Sequence, residues 1–204
     1  MILARSFYQR STAEVARNLI GKVLVRSLNG GRSSRLSGVI VETEAYGHAD
    51  DPASHACRGM TERNRVMFGE AGIAYVYFTY GNHHCVNVSA RNGAPAGAVL
   101  IRSIEPVDGI ETMKRLRGLD DAYSLTTGPG KLAQAMKITR SQNGADMTDP
   151  DSEIMIEDGP ARPVVIATAR IGISRATDRE WRFIDPSSAF LSRKRARSAS
   201  LQVK

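Results

Sequence analysis

The chain has 204 residues, 42% of them apolar, which is enough for one globular domain with a sizeable core, and nothing in it reads as a second. Its first residues, Met1-Ile2-Leu3-Ala4-Arg5-Ser6, lack the apolar run of a secretory signal, and no apolar stretch approaches a membrane span, so a cytosolic protein with no membrane partner and with Cys57 and Cys85 as reduced thiols is expected. The formal charge is +7, but the last twelve residues hold five bases and no acid, leaving 23 of the 28 bases against 21 acids in the body. Much of the excess therefore sits in a Ser-rich tail, 193–204, that reads as disordered; attraction to phosphates and plain solubilisation are both compatible with it.

In chain order, Ser11-Thr12-Ala13-Glu14 has capping-box spacing, and Val15, Ala16, Leu19 and Ile20 give an apolar stripe, so a helix is predicted from Thr12 to Ile20. Lys22 to Ser27 and Leu36 to Ala45 are β-rich runs around Asn29-Gly30-Gly31 and should pair antiparallel. Strict alternation along the second run puts Ile40, Glu42, Glu44 and Tyr46 on one face and Val39, Val41, Thr43 and Ala45 on the other. Residues 47–62 read as an ordered loop that closes on a turn of helix at Asn64 to Phe68. A tyrosine strand, Ala74 to Gly81, puts Tyr75 and Tyr77 on one face and Tyr80 at a glycine turn; strands His84 to Ser89 and Ala98 to Glu105 follow, the latter ending at Pro106. Helices near Asp108 to Leu116 and Lys131 to Met136, and strands near Ile154 to Glu157 and Val164 to Thr168, complete an α+β fold: a single domain, 1–192, on a curved, mainly antiparallel sheet flanked by helices.

Three constellations could carry chemistry. Glu44 beside Tyr46 has the makings of a general base under an aromatic platform, and equally of a solvated strand end. Tyr75, Tyr77 and Tyr80 could hold a flat ring or simply pack. His55, Cys57, His83, His84 and Cys85 are zinc-type ligands, but without CxxC or HExxH spacing, and adjacent His83 and His84 point to opposite faces, so no metal and no organic cofactor is expected. Gly128-Pro129-Gly130-Lys131 lacks the glycine and hydroxyl of a nucleoside-triphosphate loop, with Leu125 and Leu132 in their places; it can open a helix or hold one backbone phosphate with Lys131.

Leu3-Ala4-Arg5-Ser6-Phe7-Tyr8, Val41-Glu42-Thr43-Glu44-Ala45-Tyr46, Asp51-Pro52-Ala53-Ser54-His55, Arg63-Asn64-Arg65-Val66-Met67-Phe68, Tyr75-Val76-Tyr77, Tyr80-Gly81, Cys85-Val86-Asn87-Val88, residues 99–106 and residues 127–132 stand in the order and spacing of the alkyladenine (3-methyladenine) DNA glycosylase family, which the chain resembles from residue 3 to about residue 185. Lys22, Lys114, Lys131, Lys137, Lys194 and Lys204 all lie outside the Glu44 and tyrosine segments, so a monofunctional enzyme without a Schiff base is expected, as a cytoplasmic, bacterial-type monomer. Its partner would be double-stranded DNA holding damaged purines, which it flips out and releases by N-glycosidic hydrolysis. The resemblance also implies that Glu44 deprotonates the attacking water, that Arg102 and the main-chain carbonyl of Ile171 hold that water, and that Tyr46, His55 and Tyr77 line the base pocket. Asn87 would gate selectivity, Tyr80 would wedge into the duplex, and Lys131 would meet the DNA backbone. The chain departs from the family pattern at Cys57, Glu62 and Asn82-His83, on the implied DNA-facing rim. A metal-dependent hydrolase using the His/Cys set and a non-catalytic damaged-DNA binder are the alternatives.

Overall fold

The computed structural model describes residues 1–28, 34–159 and 164–192; the expected turn at Asn29-Gly30-Gly31 and the basic tail lie outside the described residues. A one-turn helix, α1 (Arg5–Tyr8), precedes α2 (Thr12–Leu19). The latter begins as its capping box requires: the Glu14 amide donates to Ser11 Oγ, and the Ser11 amide donates back to Glu14 Oε2. Its stripe, Val15, Ala16 and Leu19, is buried in the main core.

Eight described strands form one antiparallel sheet: β1 (Val23–Ser27), β2 (Arg35–Tyr46), β3 (Ala74–Thr79), β4 (His83–Ser89), β5 (Ala98–Asp108), β6 (Ile154–Glu157), β7 (Ile166–Thr168) and β8 (Arg182–Ile184). The order is β3-β4-β5-β2-β1-β6, and the sheet curves into a half-barrel flanked by α2, α3 (Ile110–Arg117) and α4 (Pro129–Ala135). The twelve-residue β2 is the spine. Strand β5 runs along one of its edges, while the other edge is shared by β1 at residues 35–39 and β8 at residues 42–44.

The faces of the sheet separate by parity. Val76, Val86, Val88, Val99 and Ile101 enter the main core, whereas Tyr75, Tyr77, Cys85, Asn87, Leu100 and Arg102 line a cleft on the opposite face. On β2 the parity breaks. Ile40 was expected to share a face with Glu42, Glu44 and Tyr46, but it lies in the main core with Ala45. The pairing register explains this: Ile40 faces Ile104, Glu42 faces Ser103 and Thr43 faces Ile101, so Val41 is extra on β2 and Arg102 is extra on β5. Two compensating bulges thus turn both strands beside the cleft, and bulges re-aim side chains in this way next to functional sites.

Other boundaries shift modestly. Strand β5 continues through Pro106 to Asp108, because a further irregularity between Ser37 and Gly38 sets Pro106 opposite Gly38, where the chains approach so closely that a Cβ would meet Glu105 O at 2.7 Å. The strand expected from Val164 starts at Ile166, and β8 was not foreseen. Both cysteines are free thiols, and no described helix is long and apolar enough to cross a membrane.

Candidate active site

The cleft has a volume of about 270 Å³, and its floor is the cleft-facing side of β3, β4 and β5. Tyr75 and Tyr77 lie 5.2 Å apart on β3, and His55, from the loop after β2, meets Tyr77 edge-on at 4.7 Å. His55 Nδ1 is 3.0 Å from the Tyr75 hydroxyl, and Asn64 Nδ2 donates to His55 O at 2.8 Å, so both ring and backbone of His55 are fixed. Burial, and then the positive charge of Arg63, hold the His55 imidazole below its ordinary pKa and therefore neutral near pH 7. Asn87, buried on β4, donates from Nδ2 to Tyr75 O at 2.9 Å.

Behind this cleft sits a buried charge cluster. Glu44 is fully buried and does not line the cleft itself, but each of its three partners does. Its Oε2 accepts from Tyr46 Oη at 2.8 Å and from Arg102 Nη1 at 3.0 Å, and its Oε1 accepts from the Ile171 amide at 2.7 Å. All three donate, an arrangement that suits a carboxylate, and one acceptor position on Oε1 remains. Burial first, and then the neighbouring Glu44, push the Tyr46 phenol far above its usual value, so it stays a donor.

A second buried pair braces the walls. Arg170 donates to both oxygens of Asp51 at 2.7 Å and to Ala45 O at 2.9 Å, and its guanidinium lies 4.8 Å from the centre of the Tyr46 ring. Asp51 also accepts from the Gly47 and Ala53 amides, so one ion pair ties the His55 loop to the segment that presents the Ile171 amide.

Tyr80 stands at the β3–β4 hairpin tip, 85% exposed, at the mouth of the cleft. Tyr80 and Gly81 both have positive φ, 52° and 73°, and the Asn82 amide donates to Thr79 O at 3.3 Å, which closes a tight turn. Lys131 is exposed in the first turn of α4, its Nζ 3.5 Å from Thr127 Oγ1; it does not line the cleft, although Pro129 of the same turn does. Glu62 is 89% exposed by its side chain and lies 3.5 Å from Arg65.

The structure therefore brings Glu44, Arg102, Ile171, Tyr46, His55, Tyr77, Asn87 and Tyr80 to one cleft and its back wall, with Lys131 outside it. Sequence reasoning missed the Ile171 amide on Glu44, the Tyr46 hydroxyl contact, the Asp51–Arg170 brace and the ring of partners around Glu42. The Asp51 motif and the segment holding Arg170 and Ile171 were both visible in the sequence, but nothing local paired Arg170 with Asp51. Among the described residues no group of three or more His, Cys, Asp or Glu is placed to hold a metal.

A family model described as methylpurine-DNA glycosylase (MPG) matches residues 6–189. The chain belongs to that family. Proteins named "Putative 3-methyladenine DNA glycosylase" are close relatives. The one from Methanocella arvoryzae is 49% identical over 95% of this chain and 96% of its own length. That from Chlorobium phaeobacteroides is 45% identical over 97% and 98%, and that from Agrobacterium fabrum is 49% identical over 93% and 92%. As a family member the chain is a DNA-binding enzyme of base excision repair, a DNA glycosylase that hydrolyses N-glycosyl bonds.

Proposed function

We propose that this monomeric, cytoplasmic glycosylase extrudes an alkylated or deaminated purine, such as 3-methyladenine, 7-methylguanine, hypoxanthine or ethenoadenine, from double-stranded DNA and releases it with a water activated by Glu44, leaving an abasic site. The observation that carries the reading is the placement of Glu44: three donors, Tyr46, Arg102 and the Ile171 amide, orient a buried carboxylate directly behind an aromatic cleft.

The chemistry follows from that placement. Extrusion costs a few kcal/mol, least for damaged or mispaired bases, and an exposed Tyr80 at the hairpin tip would fill the gap in the stack. A ring-alkylated purine is cationic, and the faces of Tyr46 and Tyr77 attract it by about 1–2 kcal/mol in a desolvated site. The C1′–N bond breaks with its electron pair leaving on the base. Glu44 stabilises the oxocarbenium-like sugar and takes one proton from the water whose oxygen bonds to C1′. Arg102 and the backbone at Ile171 would hold that water, with Asn87 crowding normal guanine and Lys131 touching the backbone. Among the described residues no lysine lines the cleft, which supports a reaction without a Schiff base.

The test is product analysis on a duplex holding one 7-methylguanine or one hypoxanthine. The reading expects free base and an intact abasic strand, with the cationic 7-methylguanine leaving faster because neutral hypoxanthine must first gain a proton. A borohydride-trapped adduct or direct strand scission would contradict it.

A further inference from the structure

Glu42 is, with Glu44 and Asp51, one of three fully buried carboxylates around the site, and the reaction outlined above makes no use of it. Its Oε1 accepts from Arg102 Nε at 3.3 Å, Arg182 Nε at 2.6 Å and Ser192 Oγ at 2.8 Å; its Oε2 accepts from the Ser192 amide at 2.7 Å. Unlike Glu44, whose three partners all line the cleft, Glu42 takes three of its four hydrogen bonds from Arg182 and Ser192, which lie outside the cleft lining. Its chemistry is that of an anchor. Arg102 spans the gap, with Nε on Glu42 and Nη1 on Glu44, so the direction of its guanidinium is set from behind by Glu42. The bulge that leaves Arg102 unpaired on β5 removes backbone pairing as the means of orienting it. Arg182 balances the charge: two carboxylates meet two guanidiniums in one buried cluster.

Half of the hydrogen bonds to Glu42 come from Ser192, 150 positions away in sequence. The segment leading to it is fastened twice more, by Ser103 Oγ donating to Phe190 O next to the bulged Arg102 and by the Asp185 amide donating to O of the bulged Val41 at 3.0 Å. We propose that Glu42 is a positioning residue for base release and that residues 185–192 form a latch, closed by Ser192 on Glu42, that sets the Arg102 guanidinium against Glu44. This rests on the reading of Glu44 as the base.

The experiment compares the full chain with Glu42→Gln, Ser192→Ala and Glu44→Gln, measuring single-turnover base release at saturating enzyme and the Kd for an abasic-site duplex. Because enzyme is in excess, a smaller folded fraction does not change the rate constant. The latch predicts a release rate lowered roughly 10–100-fold in Glu42→Gln, since misplacement of about 1 Å costs on that order, and a several-fold loss in Ser192→Ala, with Kd changed less than two-fold in both. An unchanged rate in either variant overturns it; if Glu42→Gln does not fold, Ser192→Ala decides alone. Full activity in Glu44→Gln would instead remove the reading beneath the latch, whatever the other two variants do.

Discussion

Replacing Asp51 with Asn should be strongly destabilising although it touches neither the cleft nor Glu44. Both side chains of the Asp51–Arg170 pair are wholly inaccessible to solvent. Asn keeps the volume of Asp51 and one acceptor oxygen, but it removes the charge facing the guanidinium, which has nowhere to go because Ala45 O also holds it. Removing one partner of a buried pair generally costs about 3–5 kcal/mol, chiefly the burden of an uncompensated charge, and the surviving acceptor places this case near 3 kcal/mol. For a chain of this length that corresponds to a melting point lowered by about 6–12 °C. Urea denaturation and thermal melts at pH 7.5 measure it. Burial alone would raise the Asp51 carboxyl, but the Arg170 hydrogen bonds and the Gly47 and Ala53 amides hold it below its ordinary value. The stabilisation is therefore complete above about pH 4 and is lost as the pH falls through the depressed value, so the deficit of Asp51→Asn should shrink in that acid range. Asp51→Asn with Arg170→Met leaves no unpaired charge at that buried position and should recover stability relative to Asp51→Asn, while base release stays low because nothing braces Tyr46 or the Ile171 amide. A loss below about 1 kcal/mol in Asp51→Asn would refute the reasoning.

Three further outcomes follow from the same geometry. Tyr80→Gly should leave the melting point unchanged or slightly raised, since glycine relieves a left-handed residue at an exposed position, yet slow base release from duplex far more than from single-stranded DNA; equal slowing on both would exclude a wedge. Arg63→Gln removes the cation that, after burial, lowers the His55 pKa, so the His55 ring resonances should titrate at higher pH than in the wild type; an unmoved or lowered midpoint would contradict this. For His55 itself the neutral form is the stable folded form, so its contribution weakens stability as pH drops through the ordinary imidazole range near 6.5. Base release should be indifferent to EDTA, because no described ligand cluster exists to hold a metal; loss of activity on chelation would restore the metal-dependent alternative.

The legible parts of the fold were those with local periodicity: the α2 stripe behind its capping box, the β3–β4 hairpin, and the alternation of β3 to β5 that separates core from cleft. Glu44 and Tyr46 could be placed on one face because alternation survives from Glu42 to Tyr46. Ile40 could not, since a bulge shifts parity by one residue without any mark in composition. Strand β8 has three residues, too few to show a period, and it forms because the second half of β2 offers an open edge. Arg102 entered only through family resemblance, as one base within an apolar run. The Arg170 contact with Asp51 joins positions 119 residues apart, and the Ile171 donor is a backbone amide, which no side-chain pattern reports.

The central claim is that Glu44 activates the water. Single-turnover release of 7-methylguanine by Glu44→Gln, at enzyme concentrations that saturate the duplex, tests it most directly. Gln keeps the shape and can still accept from the Ile171 amide, so binding to abasic-site DNA should persist while the release rate falls by about 10²–10⁴-fold, the usual share of a general base. Release within ten-fold of wild type by a variant that binds normally would contradict the account.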